Sequence, residues 1–232
     1  MKTIGVLGGM SPTATAEYYR MINERVSRRL GGWNTAEIII SSVNFARIEH
    51  CVRNQLWSEG GAYLATKAQG LERAGADFIL CASNTMHRVS DDFMAGLSIP
   101  LLHIVDPTGQ AIRDRGLTKV GLLGTRPVMA SSYVSARYAE KFGVETLVPD
   151  AQEQAIVDRI IFDELVHRVL RPESKQVYLD IIDRLRARGA QGLILGCTEI
   201  FLLISQSDRP DFPMFDTTTL HVDAAVAMAF DE

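Results

Sequence analysis

The sequence predicts an α/β protein made of two similar α/β domains with parallel sheets, related by pseudo-two-fold symmetry. Three observations carry that prediction. Short aliphatic and β-branched runs alternate with longer amphipathic stretches. Most of the runs are largely apolar along their length, as expected of parallel strands covered on both faces. The pattern also recurs along the chain at a nearly constant offset.

The elements follow in order. Thr3–Leu7 reads as a strand and leads into LGGMSP, where Ser11 suits an N-cap and Pro12 the first helical position. Glu37–Ser42 is the second strand. Ala62–Ala74 places Leu64, Ala65, Ala68 and Leu71 on one helical side, ahead of a third strand at Phe78–Ala82. Leu101–Val105 and Lys119–Leu123 are the fourth and fifth. Val157–Leu170 lines up Val157, Ile160, Ile161, Leu165 and Val169 as one helix face. Gln176–Arg188 does the same with Val177, Ile181, Ile182 and Leu185, and its last turns carry Arg184, Arg186 and Arg188, where cations suit the helix dipole. Leu193–Gly196 and Met214–Asp216 are the last strands. Gly75, Gly116 and Gly189 stand where helices should end.

The repeat pairs KTIGVLGG (Lys2–Gly9) with TKVGLLGT (Thr118–Thr125), an offset of 116. GADFILCASNT (Gly75–Thr85) pairs with GAQGLILGCTE (Gly189–Glu199), an offset of 114. LLHIVD (Leu101–Asp106) and MFDTTT (Met214–Thr219) both follow a proline, offset by 113. Colinear matches of this kind predict one domain from residues 1–103 plus 213–232 and a second from 104–212. The halves are expected to face each other across an active-site cleft, with the C-terminal segment returning to complete the first. In the repeat, Cys197 corresponds to Ser83 and not to Cys81. Both positions lie just past a strand's carboxyl end, where open α/β sheets bind ligands. Cys81 falls inside the strand and reads as a small buried residue.

Composition removes other classes. Net charge is −4 over 232 residues, which gives no electrostatic support for nucleic-acid binding. No apolar run approaches the roughly 18 residues of a membrane helix. MKTIGVLGGMS is cut by glycines and lacks a cleavage site, so it reads as a strand rather than a signal peptide. Cys51, Cys81 and Cys197 are odd in number and far apart, which fits a reducing cytosol and argues against a disulfide framework. No cysteine pair or His/Cys cluster has metal-ligand spacing, so no metal is expected.

LGGMS (Leu7–Ser11), SNTMH (Ser83–His87), LLHIVD, LLGT (Leu122–Thr125), GCTEI (Gly196–Ile200) and DTTTLH (Asp216–His221), in this order, resemble the aspartate/glutamate racemase family over essentially the whole chain. The resemblance implies an isomerase that needs no pyridoxal phosphate or other cofactor. Its usual mechanism uses two cysteines, one taking the α-proton and the other returning a proton to the opposite face. A thiol of pKa about 8.5 can be tuned to serve in both roles. Here the first cysteine's slot holds Ser83, while the second is Cys197. A subgroup of the family carries threonine in the first slot and favours the L enantiomer. The resemblance therefore implies that Cys197 takes the proton from L-aspartate or L-glutamate, and that Ser83, or a water it holds, supplies the proton on the other face.

Further roles follow from the same resemblance. Gly9, Met10 and Ser11 form a glycine turn at a helix N-terminus, suited to a substrate carboxylate. Asn84, Thr85, Thr125 and Thr198 are expected to hold the α-carboxylate and amino group. Glu199 is expected to tune the thiol or meet the substrate ammonium. The distal carboxylate needs a cation, and Arg47 and Arg53 are the candidates. Related chains carry a glutamine and a lysine where this sequence has Val52 and a position near Val166. The partner is thus a small acidic amino acid. Some members of the family form homodimers, and no segment of this sequence identifies an interface. The competing readings are a decarboxylase of malonate-type acids, which needs only the second cysteine, and a non-catalytic amino-acid-binding protein.

Overall fold

The computed structural model describes residues 1–231. Its first unit opens with β1 (Ile4–Gly8), α1 (Pro12–Leu30), β2 (Ile38–Ser42), α2 (Phe45–Arg53) and α3 (Trp57–Arg73). It continues with β3 (Phe78–Cys81), a 3-10 turn over Thr85–Val89, α4 (Ser90–Met94) and β4 (Leu101–Leu102). The second unit runs through α5 (Val105–Asp114), β5 (Lys119–Gly124), α6 (Arg126–Ala130), α7 (Ser132–Phe142) and β6 (Glu145–Leu147). It ends with α8 (Ala151–Asp163), α9 (Pro172–Ala187), β7 (Leu193–Gly196) and β8 (Met214–Asp216), after which α10 (Thr217–Ala229) carries the chain back into the first unit.

The described residues form two four-stranded parallel sheets, ordered β2-β1-β3-β4 and β6-β5-β7-β8. The two orders are the same under the sequence repeat, and so is the register. Leu7 pairs with Cys81, and the offsets of 116 and 114 carry that pair onto Leu123 with Leu195, which are also partners. In each sheet the chain order reverses between the two central strands, β1 with β3 and β5 with β7. Loops at the carboxyl ends of such a pair diverge and leave room for a ligand.

Two apolar layers cover the first sheet. On one side Ile4, Val6, Phe78 and Leu80 pack with Tyr18, Ile22 and Val26 of α1. Val222, Ala225, Val226 and Ala229 of α10 join this layer, and their spacing is that of one helical face. On the other side Leu7, Ile79 and Cys81 pack against Ile48, Leu64, Ala68 and Leu71 of α2 and α3. Leu123, Leu193 and Leu195 of the second sheet meet Val157, Ile160, Ile161, Ile181, Ile182 and Leu185 of α8 and α9. Each such fully buried aliphatic side chain stabilises the fold by about 1.5–3 kcal/mol.

Several element ends differ from the sequence expectation, each for a local reason. The fourth strand stops at Leu102 instead of Val105, because Val105 already begins α5. Asp106 in that helix is clasped by Arg137 at 2.7 and 2.8 Å and by Lys141 at 2.6 Å. Burial pushes the Asp106 carboxyl up, but these hydrogen bonds outweigh it and hold the pKa below its usual value. The helix expected over Val157–Leu170 starts at Ala151, where Asp150 and Glu153 form a capping box, and stops at Asp163. Arg168 then turns to φ 58, so Val169 falls off the helical face. The three glycines expected to end helices do turn to positive φ: Gly75 at 98, Gly116 at 68 and Gly189 at 96. The second change of unit also lies later than residues 212/213. β8 pairs with β7, so the return falls between Leu220 and His221, while the first change lies between Ile104 and Val105.

Cys81 has no accessible surface, and its thiol is pushed up from 9.0 to about 12 by desolvation. Below pH 9.0 both native and unfolded chains keep this proton. Between the two values only the unfolded chain releases it, so stability falls as pH rises through that window. In urea unfolding above pH 9, Cys81→Ala is expected to show a shallower loss of stability than the wild type, by up to about 1.4 kcal/mol per pH unit.

Candidate active site

The loop after β1 is closed by short backbone contacts. The Gly9 amide donates to Thr15 Oγ1 at 2.7 Å, and Thr15 Oγ1 donates to the Ser11 carbonyl at 2.9 Å. Ser11 Oγ accepts from the Ala14 amide at 3.2 Å, so Ser11 is the N-cap of α1 and Pro12 opens the helix. Gly9 sits at φ 89, and a Cβ there would lie 2.4 Å from both the backbone nitrogen and oxygen of Val43. Only glycine fits. Met10 and Ser11 are buried in the same turn.

On the neighbouring strand β3, the chain continues through Ala82 into Ser83, Asn84 and Thr85, all buried. Ser83 is held at its hydroxyl and at its carbonyl. Its Oγ accepts from the Met86 amide at 3.4 Å, and its carbonyl accepts from His87 Nδ1 at 2.7 Å. His87 is buried in a 3-10 turn, where it also reaches Ile104.

The second unit repeats this arrangement with different chemistry. β5 ends in Gly124 beside Gly196 of β7, and a Cβ on Gly124 would approach the Gly196 carbonyl oxygen to 2.7 Å. That close pairing lies directly beneath Cys197. The Cys197 Sγ–H donates to Glu199 Oε2 at 3.2 Å, and Thr198 Oγ1 donates to the same oxygen at 2.8 Å. Cys197, Thr198 and Glu199 are all buried. Desolvation, reinforced by the Glu199 charge, pushes the Cys197 thiol well above its usual pKa. Thr125, past the end of β5, is buried as the N-cap of α6.

The two candidate arginines differ. Arg53 pairs with Glu49 one turn back on α2. Arg47 lies with its guanidinium carbon 4.0 Å over the Tyr63 ring and makes no ion pair among the described residues. Val52 packs against the core beneath α2 and α3, and Val166 against that of the second unit. Among the described residues no cluster of His, Cys, Asp and Glu is arranged to hold a metal, and no helix is long and apolar enough to cross a membrane.

Two matched parallel sheets, each with a polar loop at the end of its third strand, define a duplicated α/β protein carrying one buried thiol and one buried hydroxyl at equivalent places. The chain belongs to the Asp/Glu/hydantoin racemase family, whose model matches residues 7–225. It is similar to a Yersinia pestis protein described as a candidate Asp/Glu racemase, at 43% identity and TM-score 0.91, with 99% of this chain and 100% of that one covered. An aspartate racemase homologue from Pyrococcus horikoshii matches at 34% identity and TM-score 0.83, again over 99% and 100%. A broad-specificity amino-acid racemase from Bacillus subtilis is 23% identical, covering 93% of this chain and 92% of its own. Proteins named racemases are isomerases.

Two outcomes follow from the geometry. Gly9→Ala is expected to cost about 2–4 kcal/mol, through positive φ and the Val43 clash, read as a lower urea midpoint. Glu199→Gln removes the charge that helps hold the Cys197 proton. The thiol should then titrate at lower pH than in the wild type, read as ultraviolet thiolate absorbance after subtraction of Cys197→Ala.

Proposed function

We propose that the protein racemises L-aspartate or L-glutamate without a cofactor, with Cys197 as the base that meets the L enantiomer. The observation that carries this reading is the buried Cys197–Glu199 contact at 3.2 Å. A thiol pushed well above its usual pKa holds too little thiolate to act as a base unaided. Glu199 Oε2 already accepts that proton's hydrogen bond, so it is placed to take the proton as the substrate's ammonium arrives. The thiolate then removes the α-proton and becomes a thiol again. A proton from Ser83, or from a water it holds, reaches the opposite face of the carbanion. Solvent then restores the hydroxyl, and Glu199 releases its proton to solvent, which returns the site to its starting state. Each step moves one proton and needs no oxidant or reductant.

Substrate groups are assigned by chemistry. The glycine turn Gly9–Ser11 at the start of α1, with Asn84 and Thr85, takes the α-carboxylate. Thr125 and Thr198 complete the polar lining. Arg47 takes the distal carboxylate in preference to Arg53, since its guanidinium rests over the Tyr63 ring without an ion pair among the described residues, while Glu49 occupies Arg53. Similarity to a named aspartate racemase homologue supports an acidic substrate.

A hydroxyl in one slot and a thiol in the other makes the two directions unequal. Enantiomers have equal free energies, so kcat/KM must be the same both ways. The inequality therefore appears as a lower kcat for the D enantiomer, matched by a lower KM.

In deuterated buffer with L-aspartate or L-glutamate, loss of the α-proton signal together with D product is expected, and Cys197→Ala should abolish both. Exchange unaffected by Cys197→Ala removes Cys197 from the reaction. Glu199→Gln is expected to slow exchange by about 10²–10⁴-fold despite its more acidic thiol, since proton acceptance is lost. Chiral separation of initial-rate products should give a higher kcat from L than from D. Equal kcat values would contradict the assignment of Ser83.

A further inference from the structure

Tyr18, His87, His103 and His221 form a buried polar group inside the apolar core of the first unit, and the proton movements proposed above use none of them. Their hydrogen bonds fix how His87 carries its proton and put a proton on Nε2 of His221. A carbonyl oxygen only accepts, so the 2.7 Å contact between His87 Nδ1 and the Ser83 carbonyl requires a proton on Nδ1. The Ile104 amide only donates, and it points at His87 Nε2 at 3.2 Å, so Nε2 is bare. His87 is thereby neutral, with its hydrogen on Nδ1. His221 is arranged the other way round. Its Nε2 donates to the Leu102 carbonyl at 2.9 Å, and its Nδ1 shares a hydrogen bond with the Tyr18 hydroxyl at 2.9 Å. The His87 ring lies 4.5 Å from His103 and 6.0 Å from His221.

We propose that His87 is the positioning residue for Ser83, its Nδ1–H holding the Ser83 carbonyl while its Nε2, together with His221, locks onto the strand end at Leu102–Ile104. Leu102 and Ile104 lie where the chain leaves the first unit, and His221 is where it returns. Both passages are therefore pinned to the loop that presents Ser83. An imidazole is the side chain that donates at one edge and accepts at the other across this gap. The inference rests on the reading that Ser83 serves the second proton, and it deepens that reading. Ser83 lacks the acidity of a thiol, so its contribution depends on placement, and misplacement by about 1 Å is enough to lose it.

The test compares His87→Asn with His87→Gln in the full chain. Asn places an amide near Nδ1 and keeps the donor to Ser83. Gln places its amide near Nε2 and keeps only the contact to Ile104. With L-aspartate in deuterated buffer, α-proton exchange reports Cys197, and D product per exchange event reports the Ser83 side. His87→Gln is expected to keep exchange within about twofold and to lose D product per exchange by about tenfold or more, while His87→Asn retains most of it. Equal ratios in the two variants, or a parallel fall of exchange and product, overturn the proposal. Nitrogen-15 NMR of histidine-labelled wild-type protein, without substrate, supplies the independent readout. A neutral His87 protonated at Nδ1 is expected. The Nε2–H tautomer, or a doubly protonated ring, overturns the hub itself. If the wild type exchanges nothing, the functional reading fails and the positioning of Ser83 for catalysis falls with it, while the tautomer still decides whether His87 holds the loop.

Discussion

A parallel strand that ends beside its neighbour leaves loops turning in opposite directions, and the chemistry of this protein stands on that constraint. β1 with β3 and β5 with β7 are the reversal pairs of their sheets, and Ser83 and Cys197 follow the third strand in each. The register places the two positions alike. Small residues make the ends compact: Gly9 admits no Cβ beside Val43, and Gly124 none beside Gly196. The polar groups that remain are fixed by short hydrogen bonds to nearby backbone or, at Cys197, to a carboxylate.

Burial acts alike on the buried thiols, and their partners give them different characters. Cys197 and Cys81 are both thiols out of water, and desolvation drives both toward the protonated form. What separates them is the partner. Cys81 meets only the distant Ser83 carbonyl, at 4.0 Å, and packs as a small apolar residue. Cys197 meets a carboxylate oxygen that a threonine also holds in place. A proton acceptor within hydrogen-bond reach turns an inert buried thiol into one whose proton has somewhere to go. Ser83 has no such neighbour among its contacts described above. Its loop is instead fixed in position, which suits a group that delivers a proton better than one that abstracts it.

Much of this was legible in the chain. Largely apolar runs marked the strands, because a strand covered on both faces leaves few polar positions. The repeat paired Ser83 with Cys197 without any coordinates. Element ends were less legible. Leu101–Val105 is apolar but for His103, and such a pattern does not distinguish a strand's last residues from a helix's buried first turn. The Val157–Leu170 pattern continued on paper beyond Asp163, where Arg168 leaves the helical region. Met214–Asp216 matches the fourth strand of the first half, and its pairing with β7 is the counterpart of β4 with β3, so the chain returns to the first unit only after it.

The sequence by itself determined the fold class, the two halves, the family and the positions of the thiol and the hydroxyl, because these depend on local periodicity and on motifs a few residues long. The tertiary structure decided how those groups are held. Arg47 and Arg53 are equivalent in sequence, and they part only because Tyr63 lies under one and Glu49 beside the other. Tyr18, Ile104 and His221 are far from His87 along the chain, so no local pattern announces that its ring joins the Ser83 loop to the strand end. Hydrogen bonds between distant segments depend on where folding brings them together, and that placement is set by the packing of the whole first unit.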